Sequence, residues 1–445
     1  MRIPGRPNAS GLAFAVVACT CAAVTPVAAL AAVVAAPRAA NVSLPAVPQR
    51  PIVFANLSLE NAESKALASS PDIAAANARL EQSRASLAAA RAGVAPSLIS
   101  TYAQVPQGNP PGPTIVSRQL TSGLQLTLGD FVAYSPAVRE AAFTLAASEA
   151  DRGAALATER VKVVGLYFDA LKARAVAGAR RDALALSTSQ YRAAQIRARA
   201  GDAPQLDVLR ADVAVARATA DLETATAADA NASEALRVET SVASGALDAT
   251  RETDLPAVDA RLTDPTVAVS RARAARPEIR SAALAMRAAD AAVGSARAAG
   301  FPTVTVSGGY LVGTDSGVPI NAPSVNAQLT LPLSHANRDR VTVARAKVTE
   351  AQAKAAGVER QIALDVAASA RTLGASERAV AATSRARTSA EAERRATELG
   401  YRNGASSSLE LTSARATYSQ AVVDELSARY DVEKARATLE IEVGS

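Results

Sequence analysis

Residues 71–96 read PDIAAANARLEQSRASLAAARAGVAP, and residues 277–302 read PEIRSAALAMRAADAAVGSARAAGFP. Both segments open with Pro, an acidic residue and Ile, and both close with Pro at the same offset of 206 positions, from 71 to 277. Further along the chain, residues 125–128 and residues 328–331 both read QLTL. In each half a helical pattern precedes alternating runs, and a long helical pattern follows them. The shared order predicts an internally duplicated architecture.

Hydrophobic periodicity predicts long coiled-coil helices in both halves. The apolar residues that recur every seven positions are Ile73, Leu80 and Leu87 in the first half and Ile279, Met286 and Val293 in the second. Spacing of this kind is typical of a coiled-coil seam. The stretches from about residue 137 to 199 and from about 336 to 403 contain no Pro. As helices they would each span roughly 100 Å.

Four alternating runs predict β-strands at residues 96–105, 119–128, 302–312 and 324–333. Each run is about ten residues long and has one apolar face and one small, polar face, which is typical of strands in a membrane barrel. The connections at residues 106–117 and 312–323 are predicted to be loops. Four strands cannot close a barrel, and an open sheet edge is not viable in lipid. Several copies must therefore pool their strands, either eight from two copies or twelve from three.

The N-terminal segment predicts export. Two arginines precede an apolar run of small residues that extends to about residue 36, which is typical of a signal peptide. Two alternatives stay open: simple cleavage within residues 1–36, or a lipobox at residues 16–19 that would make Cys19 a lipidated residue. No later stretch is apolar enough to predict a transmembrane helix.

Composition narrows the class of protein. The chain has 445 residues, a net charge of +6, no Trp and 3% aromatic residues. So few large side chains predict closely packed long helices rather than a thick core. The basic residues are spread along the helices, so we expect no nucleic-acid partner. His335 beside Ser334 lacks the context of a hydrolase, and no phosphate-binding loop or cluster of metal ligands is present; we therefore expect no enzyme activity, no metal site and no cofactor.

The predicted organisation has five parts. Residues 1–36 form the signal peptide, 37–56 an irregular N-terminal segment, 57–244 the first repeat, 245–276 a connecting segment and 277–443 the second repeat. Each repeat contains a helix, two strands, a long helix, a tip turn and a final helix. The tip turns are predicted at about residues 200–205 and 400–408.

Ordered motifs in both halves carry a resemblance to a known family. In chain order, the motifs are LSLENA at 57–62, SPDI at 70–73, LDVLRA at 206–211, RPEI at 276–279 and LEL at 409–411. Over about residues 57–443 the chain resembles the TolC-like outer membrane efflux protein family, the outer membrane factors. The resemblance implies a mainly α fold with a membrane β-barrel part. In that fold, internally duplicated long coiled-coil helices accompany four strands per chain, which close a twelve-stranded barrel as a homotrimer.

The resemblance also implies a function. It predicts the passive exit duct of a tripartite efflux pump or of a type I secretion system, in the outer membrane of a Gram-negative bacterium and extending into the periplasm. Its partners would be outer-membrane lipid, a periplasmic adaptor (membrane fusion protein) and an inner-membrane transporter. The alternative is a periplasmic coiled-coil adaptor or an envelope structural protein without a pore.

Matching positions carry the gate residues of the family onto this chain. Asp207 falls at a gate aspartate, Tyr401 at a gate tyrosine that bonds to it, and Glu410 at a ring of carboxylates around the narrowest point. Ser406 and Ser413 depart from the family's pattern, which has a gate arginine and a second acidic ring at these positions. We expect Arg402 to supply the missing positive charge.

The resemblance places contacts with the adaptor at the two tip turns. The predicted contact residues are Ala200, Gly201 and Asp202 in the first repeat and Asn403, Gly404 and Ala405 in the second. They differ from the family's Val-Gly-Leu element, so we expect a different adaptor.

Overall fold

A computed structural model describes residues 56–107, 115–128, 130–201, 203–241, 246–247, 260–315, 318–332 and 336–444. The predicted signal peptide, Cys19, Asp202 and His335 lie outside the described residues, as does all of the predicted irregular segment except Asn56.

The described helices repeat in matching lengths. In the first repeat they are α1 (Leu59–Ser69), α2 (Pro71–Ala92), α3 (Asp130–Ala200) and α4 (Gln205–Thr240). In the second they are α5 (Pro265–Ala275), α6 (Pro277–Ala298), α7 (Ala336–Arg402) and α8 (Ser408–Val443). The pairs α1/α5, α2/α6 and α4/α8 contain 11, 22 and 36 residues per helix, and α3 and α7 contain 71 and 67. The predicted duplication is confirmed.

Proline breaks the opening helix of both repeats at the same point. Pro71 and Pro277 are the first residues of α2 and α6, a position that suits the fixed φ of Pro. The residues before them, Ser70 and Arg276, have extended angles of φ −63°, ψ 125° and φ −65°, ψ 125°. The helix stops there because the proline ring disfavours helical angles in the preceding residue.

In the described part of the chain, the strands form two separate sheets. The strands are β1 (Asn56–Leu57), β2 (Ser97–Gln107), β3 (Ile115–Thr127), β4 (Ala246–Leu247), β5 (Thr303–Asp315) and β6 (Val318–Thr330). β1 and β4 form a short parallel pair. The other four strands form an antiparallel sheet in the order β2-β3-β5-β6, so β2 and β6 are its edges.

The extent of the two predicted loops, 106–117 and 312–323, is wrong. β5 continues to Asp315 and β6 begins at Val318, so most of the second predicted loop is paired strand. Pro319 and Pro323 suggest a loop in the sequence because Pro cannot donate to a strand ladder. Both lie in β6, an edge strand, where Pro is tolerated.

The predicted connecting segment 245–276 is also largely structured where it is described. It contains β4, a 3-10 turn at Ala260–Thr263 and the whole of α5. Asp264 caps α5 by accepting a hydrogen bond from the Thr266 backbone N–H at 2.9 Å. In the first repeat, α1 precedes the proline break at Pro71. In the second, α5 precedes the break at Pro277 in the same way, so this repeat begins before residue 277.

The strand register divides the side chains of the four-stranded sheet between two faces. The apolar face includes Leu98, Tyr102, Leu120, Leu124, Val306, Tyr310, Val312, Val325 and Leu329. The opposite face includes Thr101, Gln119, Thr121, Gln125, Thr305, Ser307, Asn326 and Gln328. Leu98 is 79% exposed and Val325 is 78% exposed, so no described part of the chain covers the apolar face.

Two glycines bring β3 and β5 close together on the polar face. Gly123 lies directly opposite Gly309. A Cβ on Gly123 would lie 2.4 Å from the carbonyl oxygen of Gly308, and one on Gly309 would lie 2.5 Å from that of Ser122. Any side chain at either position would push the strands apart. Glycines at such close approaches are typical of strongly curved sheets.

The two long helices organise the helical part. α3 packs on α1, α2 and α4 of its own repeat and on α6 and α8 of the other, while α7 packs on α5, α6 and α8. Ala62 and Ala66 of α1, and the matching Ala268 and Ala272 of α5, are fully buried, because small side chains let the helices approach closely. These alanines belong to two apolar clusters, one around α3 and one around α7. None of the described helices contains a segment both long and apolar enough to cross a membrane.

Candidate functional site

Two helix–turn–helix ends, α3–α4 and α7–α8, contain the residues that the sequence singled out. α3 ends at Ala200 and α7 ends at Arg402. Gly201 and Gly404 follow with φ values of +80° and +76°, in the left-handed region that residues with a side chain rarely adopt. Glycine at this position is a common way for a helix to end. The two repeats therefore reverse direction by the same local mechanism.

The two turns differ in how their second helix begins. Ser407 caps α8: its hydroxyl accepts from the Glu410 backbone N–H at 3.2 Å, and Glu410 Oε2 accepts from the Ser407 backbone N–H at 2.8 Å. This reciprocal arrangement is a capping box. α4 instead follows Pro204 and has no side-chain cap. Glu410, which the family resemblance places at the aperture, is exposed. Through the capping box it also holds the start of α8 in place.

Asp207 belongs to a network that joins α4 to α8, which we call the tip clasp (Asp207, Arg210 and Ser408). The Ser408 hydroxyl donates to Asp207 Oδ1, and Arg210 Nη1 donates to the Ser408 hydroxyl at 3.0 Å. Arg210 also lies 3.7 Å from Asp207 Oδ1, and the Asp207 side chain is only 13% exposed. The clasp therefore holds a nearly buried carboxylate between the two tips.

Tyr401 and Arg402 make other contacts. The Tyr401 ring lies under the guanidinium of Arg197, 5.4 Å from the ring centroid, and so links α7 to α3. Arg402 pairs with Glu398 of its own helix at 3.2 Å. Among the described contacts of a single chain, Tyr401 and Asp207 do not bond to each other. Their pairing stays a prediction for the assembled protein.

Glu398 is the centre of a group of arginines behind the α7–α8 turn. Its carboxylate lies 3.2 Å from Arg402, 3.3 Å from Arg394 and 3.4 Å from Arg415. Burial lowers the pKa of Arg415, and the charge of Glu398 opposes that shift. Arg394 also lies over the Tyr418 ring, 5.0 Å from its centroid. One carboxylate thus serves three arginines from α7 and α8.

Sequence reasoning missed Arg210, Ser408 and Glu398. Arg210 lies three residues after Asp207, a spacing that brings side chains together on a helix, so the sequence alone can indicate this contact. The sequence cannot indicate the contact of Ser408 with Asp207, because the two residues are 201 positions apart.

The predicted adaptor-contact residues that are described are accessible. Ala200 and Gly201 in the first repeat, and Asn403, Gly404 and Ala405 in the second, are all exposed at the helix ends. Asp202 lies outside the described residues. In the single chain, these positions are therefore accessible to a partner protein.

A buried carboxyl pair lies away from the tips, where α3 meets the end of α4. Burial, followed by a hydrogen bond with Glu239, raises the pKa of Glu159. The same bond lowers the pKa of Glu239, whose Oε1 also accepts from Lys162 Nζ at 2.6 Å. The two shifts favour the protonated form of Glu159 and the charged form of Glu239 where α3 meets α4.

Comparison with known proteins defines the class. The family model for outer membrane efflux proteins matches residues 63–261 and 268–445, and the chain belongs to this family. Comparison with curated protein sequences gives no match.

Solved structures share the fold. The CmeC outer membrane channel of Campylobacter jejuni is 16% identical, with a TM-score of 0.73, and the match covers 90% of both chains. The open state of the MtrE outer membrane channel of Neisseria gonorrhoeae is 22% identical, with a TM-score of 0.72, covering 87% of this chain and 89% of that one. The outer membrane protein VceC of Vibrio cholerae is 20% identical, with a TM-score of 0.72, covering 87% and 96%.

These matches confirm the family resemblance, the mainly helical fold with four strands of the barrel type, and the outer-membrane location with a periplasmic tunnel. The chain is an efflux channel-tunnel protein, which sets aside the alternatives of an adaptor and of an envelope protein without a pore. Its family is one of channels rather than of enzymes.

Proposed function

We propose that three copies of the chain form a twelve-stranded channel that serves as the passive exit duct of a tripartite efflux pump or a type I secretion system. The observation that carries the proposal is the four-stranded sheet, which has two open edges and an uncovered apolar face. The duct has no catalytic role of its own. A periplasmic adaptor connects it to an inner-membrane transporter, which supplies the energy.

The open edges support cyclic assembly. β2 and β6 each pair on one side only within the chain. Backbone groups at such an edge find no water in the hydrocarbon region, so each edge needs a partner strand there. Pairing of β6 with β2 of the next copy supplies that partner around a closed ring. Three copies give twelve strands, which is wide enough for a pore.

The two faces of the sheet support its orientation. The apolar face, with Leu98 and Val325 largely exposed, suits the acyl chains of the lipid. The polar face carries the close contact of Gly123 with Gly309 and would line the pore. Side chains crowd together on the concave face of a curved sheet, which is why glycines are needed there.

The tips support a gate. In a threefold ring, the three Glu410 carboxylates would face one another, and such a ring favours cations. The tip clasp of Asp207 holds α4 to α8, and Tyr401 and Arg402 lie at the adjacent end of α7. Opening the aperture would require these contacts to rearrange. Ala200–Asp202 and 403–405 would meet the adaptor.

Single-channel conductance of the detergent-purified protein in planar bilayers, together with its native mass, tests the proposal. A trimer with cation-selective openings that divalent ions block would support the duct and the Glu410 ring. Asp207→Ala should raise the conductance, because it releases the clasp. Asp221→Ala is the matched control, an acidic residue on the same helix about 21 Å farther from the turn. A monomer or dimer without conductance would overturn the proposal, and equal conductance of both variants would remove Asp207 from the gate.

A further inference from the structure

The order of the helices indicates which of them meet between copies. Between the tips and the level of α1 and α5, α3 packs on α4 and α8, and α8 packs on α7. α4 and α7 are therefore the outer members of this row, just as β2 and β6 are the edges of the sheet. In both layers one end belongs to the first repeat and the other to the second. Cyclic closure would then bring α7 of one copy against α4 of the next.

α4 carries an acidic stripe, which consists of Asp212, Glu223 and Glu234. The three residues are spaced by eleven positions, which returns to nearly the same side of a helix after three turns. All three are exposed, whereas Ala225 and Leu236 are buried on another side of the helix. The stripe therefore points away from the packing of α4 in its own chain.

α7 carries an arginine stripe, which consists of Arg371, Arg378 and Arg385. Their spacing of seven positions also keeps them on one side of the helix, and all three are exposed. The opposite side carries Val366 and Leu373, which are buried against α5 and α8. The arginine stripe therefore faces away from the packing of α7 on α5 and α8.

Within the described part of the chain, most of these charges form no ion pair. The three arginines, Asp212 and Glu223 all lie in the described part of the chain, and none of them forms an ion pair there. Among the described residues, Glu234 pairs only with Arg237 of its own helix, at 2.5 Å. The charges that could join two helices are therefore still available.

Two residues of each stripe lie at matching heights. α4 runs away from its turn and α7 runs towards its own, so residues at equal distances from the turns face each other in antiparallel helices. Glu223 lies 18 residues after the start of α4 at 205, and Arg385 lies 17 residues before the end of α7 at 402. Glu234 and Arg371 lie 29 and 31 residues away. These differences amount to only about 1.5–3 Å along the axis.

The whole helices are also complementary in charge. α4 contains seven acidic and three basic residues, a net charge of −4, and α7 contains thirteen basic and eight acidic residues, a net charge of +5. We propose that the arginine stripe of α7 docks on the acidic stripe of α4 of the adjacent copy. This inference rests on the proposed trimer. Since each exposed pair contributes little by itself, the stripes would mainly select the register in which copies join.

Cysteine cross-linking in the full-length protein tests the contact directly. Glu223→Cys combined with Arg385→Cys should give covalent dimers and trimers on a non-reducing denaturing gel. The matched control is Glu223→Cys with Arg360→Cys, an exposed position about 37 Å farther along α7, which should stay uncross-linked. Glu223→Cys alone detects any product formed through the native cysteines. Equal cross-linking of both pairs, or of neither, would overturn the inference.

Charge reversal provides an independent test that separates this inference from the proposed trimer. The variant with Arg371→Glu, Arg378→Glu and Arg385→Glu should lose about tenfold in trimer association, equivalent to about 1.4 kcal/mol. Adding Asp212→Lys, Glu223→Lys and Glu234→Lys should restore it. A reversed variant that stays fully trimeric and conducts normally would overturn the stripe contact and leave the duct intact. An unmodified chain that is monomeric would overturn the proposed function itself.

Discussion

Replacing Glu425 with Leu is expected to leave the stability of the folded chain unchanged or to raise it, although the change removes two ion pairs. Glu425 occupies a heptad position of α8 between Tyr418 and Val432, and its side chain is only 6% exposed. It pairs with Arg387 of α7 and with Arg429 one turn further along α8. A leucine at this position would continue the apolar seam between the two helices.

The change in the free energy of unfolding depends on whether water reaches Arg387 and Arg429 after Glu425 is replaced. Removing one member of a buried ion pair costs about 3–5 kcal/mol when the other charge stays buried. The side chains of Arg387 and Arg429 are 36% and 59% exposed, so water can solvate both after the change. We therefore expect Glu425→Ala to cost only about 1–2 kcal/mol. Glu425→Leu regains about 1.5–3 kcal/mol from the burial of a leucine side chain, which offsets that loss.

Differential scanning calorimetry of the detergent-purified protein measures the effect. With an unfolding entropy of about 2.1 cal/mol/K per residue, 1 kcal/mol shifts the melting temperature of a chain of this length by about 1 °C. Glu425→Ala should melt about 1–2 °C below the unmodified protein, and Glu425→Leu at or above it. Protein concentration must be equal in all scans because association stabilises the folded state.

Asp424→Leu is the matched control, because this neighbouring residue of α8 is exposed and outside the seam. It should give no gain in melting temperature. The reasoning is refuted if Glu425→Leu melts below Glu425→Ala. That result would mean that the carboxylate itself, and not the shape of the seam, holds α7 to α8.

Gly309→Ala is expected to abolish the assembled trimer on a semi-native gel, because its Cβ would lie 2.5 Å from the carbonyl oxygen of Ser122. Gly308→Ala should assemble normally, because its Cβ would meet nothing within 4 Å. Equal behaviour of the two variants would contradict the close approach of the strands. The raised pKa of Glu159 means that folding favours its protonated form, so stability is lost as pH rises through that pKa. Glu159→Gln should therefore melt above the unmodified protein at about pH 8 and close to it at about pH 4, and parallel pH profiles would refute this role. Ser407→Ala removes the cap of α8 and should cost about 1 kcal/mol locally, seen as faster hydrogen exchange of the first amides of α8; unchanged exchange would show that the cap does not hold the turn.

Much of the fold is readable in the sequence because it is encoded locally. Pro71 and Pro277 end the preceding helices through their own geometry, and the heptads between the prolines and the strands identify α2 and α6. α5 was missed because its 11 residues are too few to show a heptad pattern. The predicted start of β6 is too late because Pro319 and Pro323 indicate a loop unless it is known that β6 is an edge.

Some residues of the candidate site can likewise be recognised in the sequence, and others cannot. Gly201 and Gly404 can be recognised in the sequence, because a turn that needs positive φ favours glycine. The contacts of Asp207 with Ser408 and of Tyr401 with Arg197 cannot, since these partners come from other helices. The family resemblance placed Glu410 at the aperture, and the structure adds its role as a cap. The contact of Tyr401 with Arg197 depends on how α7 lies against α3, which no local pattern contains.

The amino-acid pattern alone thus determines the duplication, the helix breaks, the glycine turns and the two-faced strands, because each depends on residues that are neighbours in the chain. The tertiary structure alone shows that β2 and β6 are the edges of the sheet, that α4 and α7 are the outer helices, and that Glu425 is buried against Arg387. These features depend on how the two repeats pack together. That packing is the sum of many weak contacts between distant residues, so it becomes visible only when the whole chain is folded.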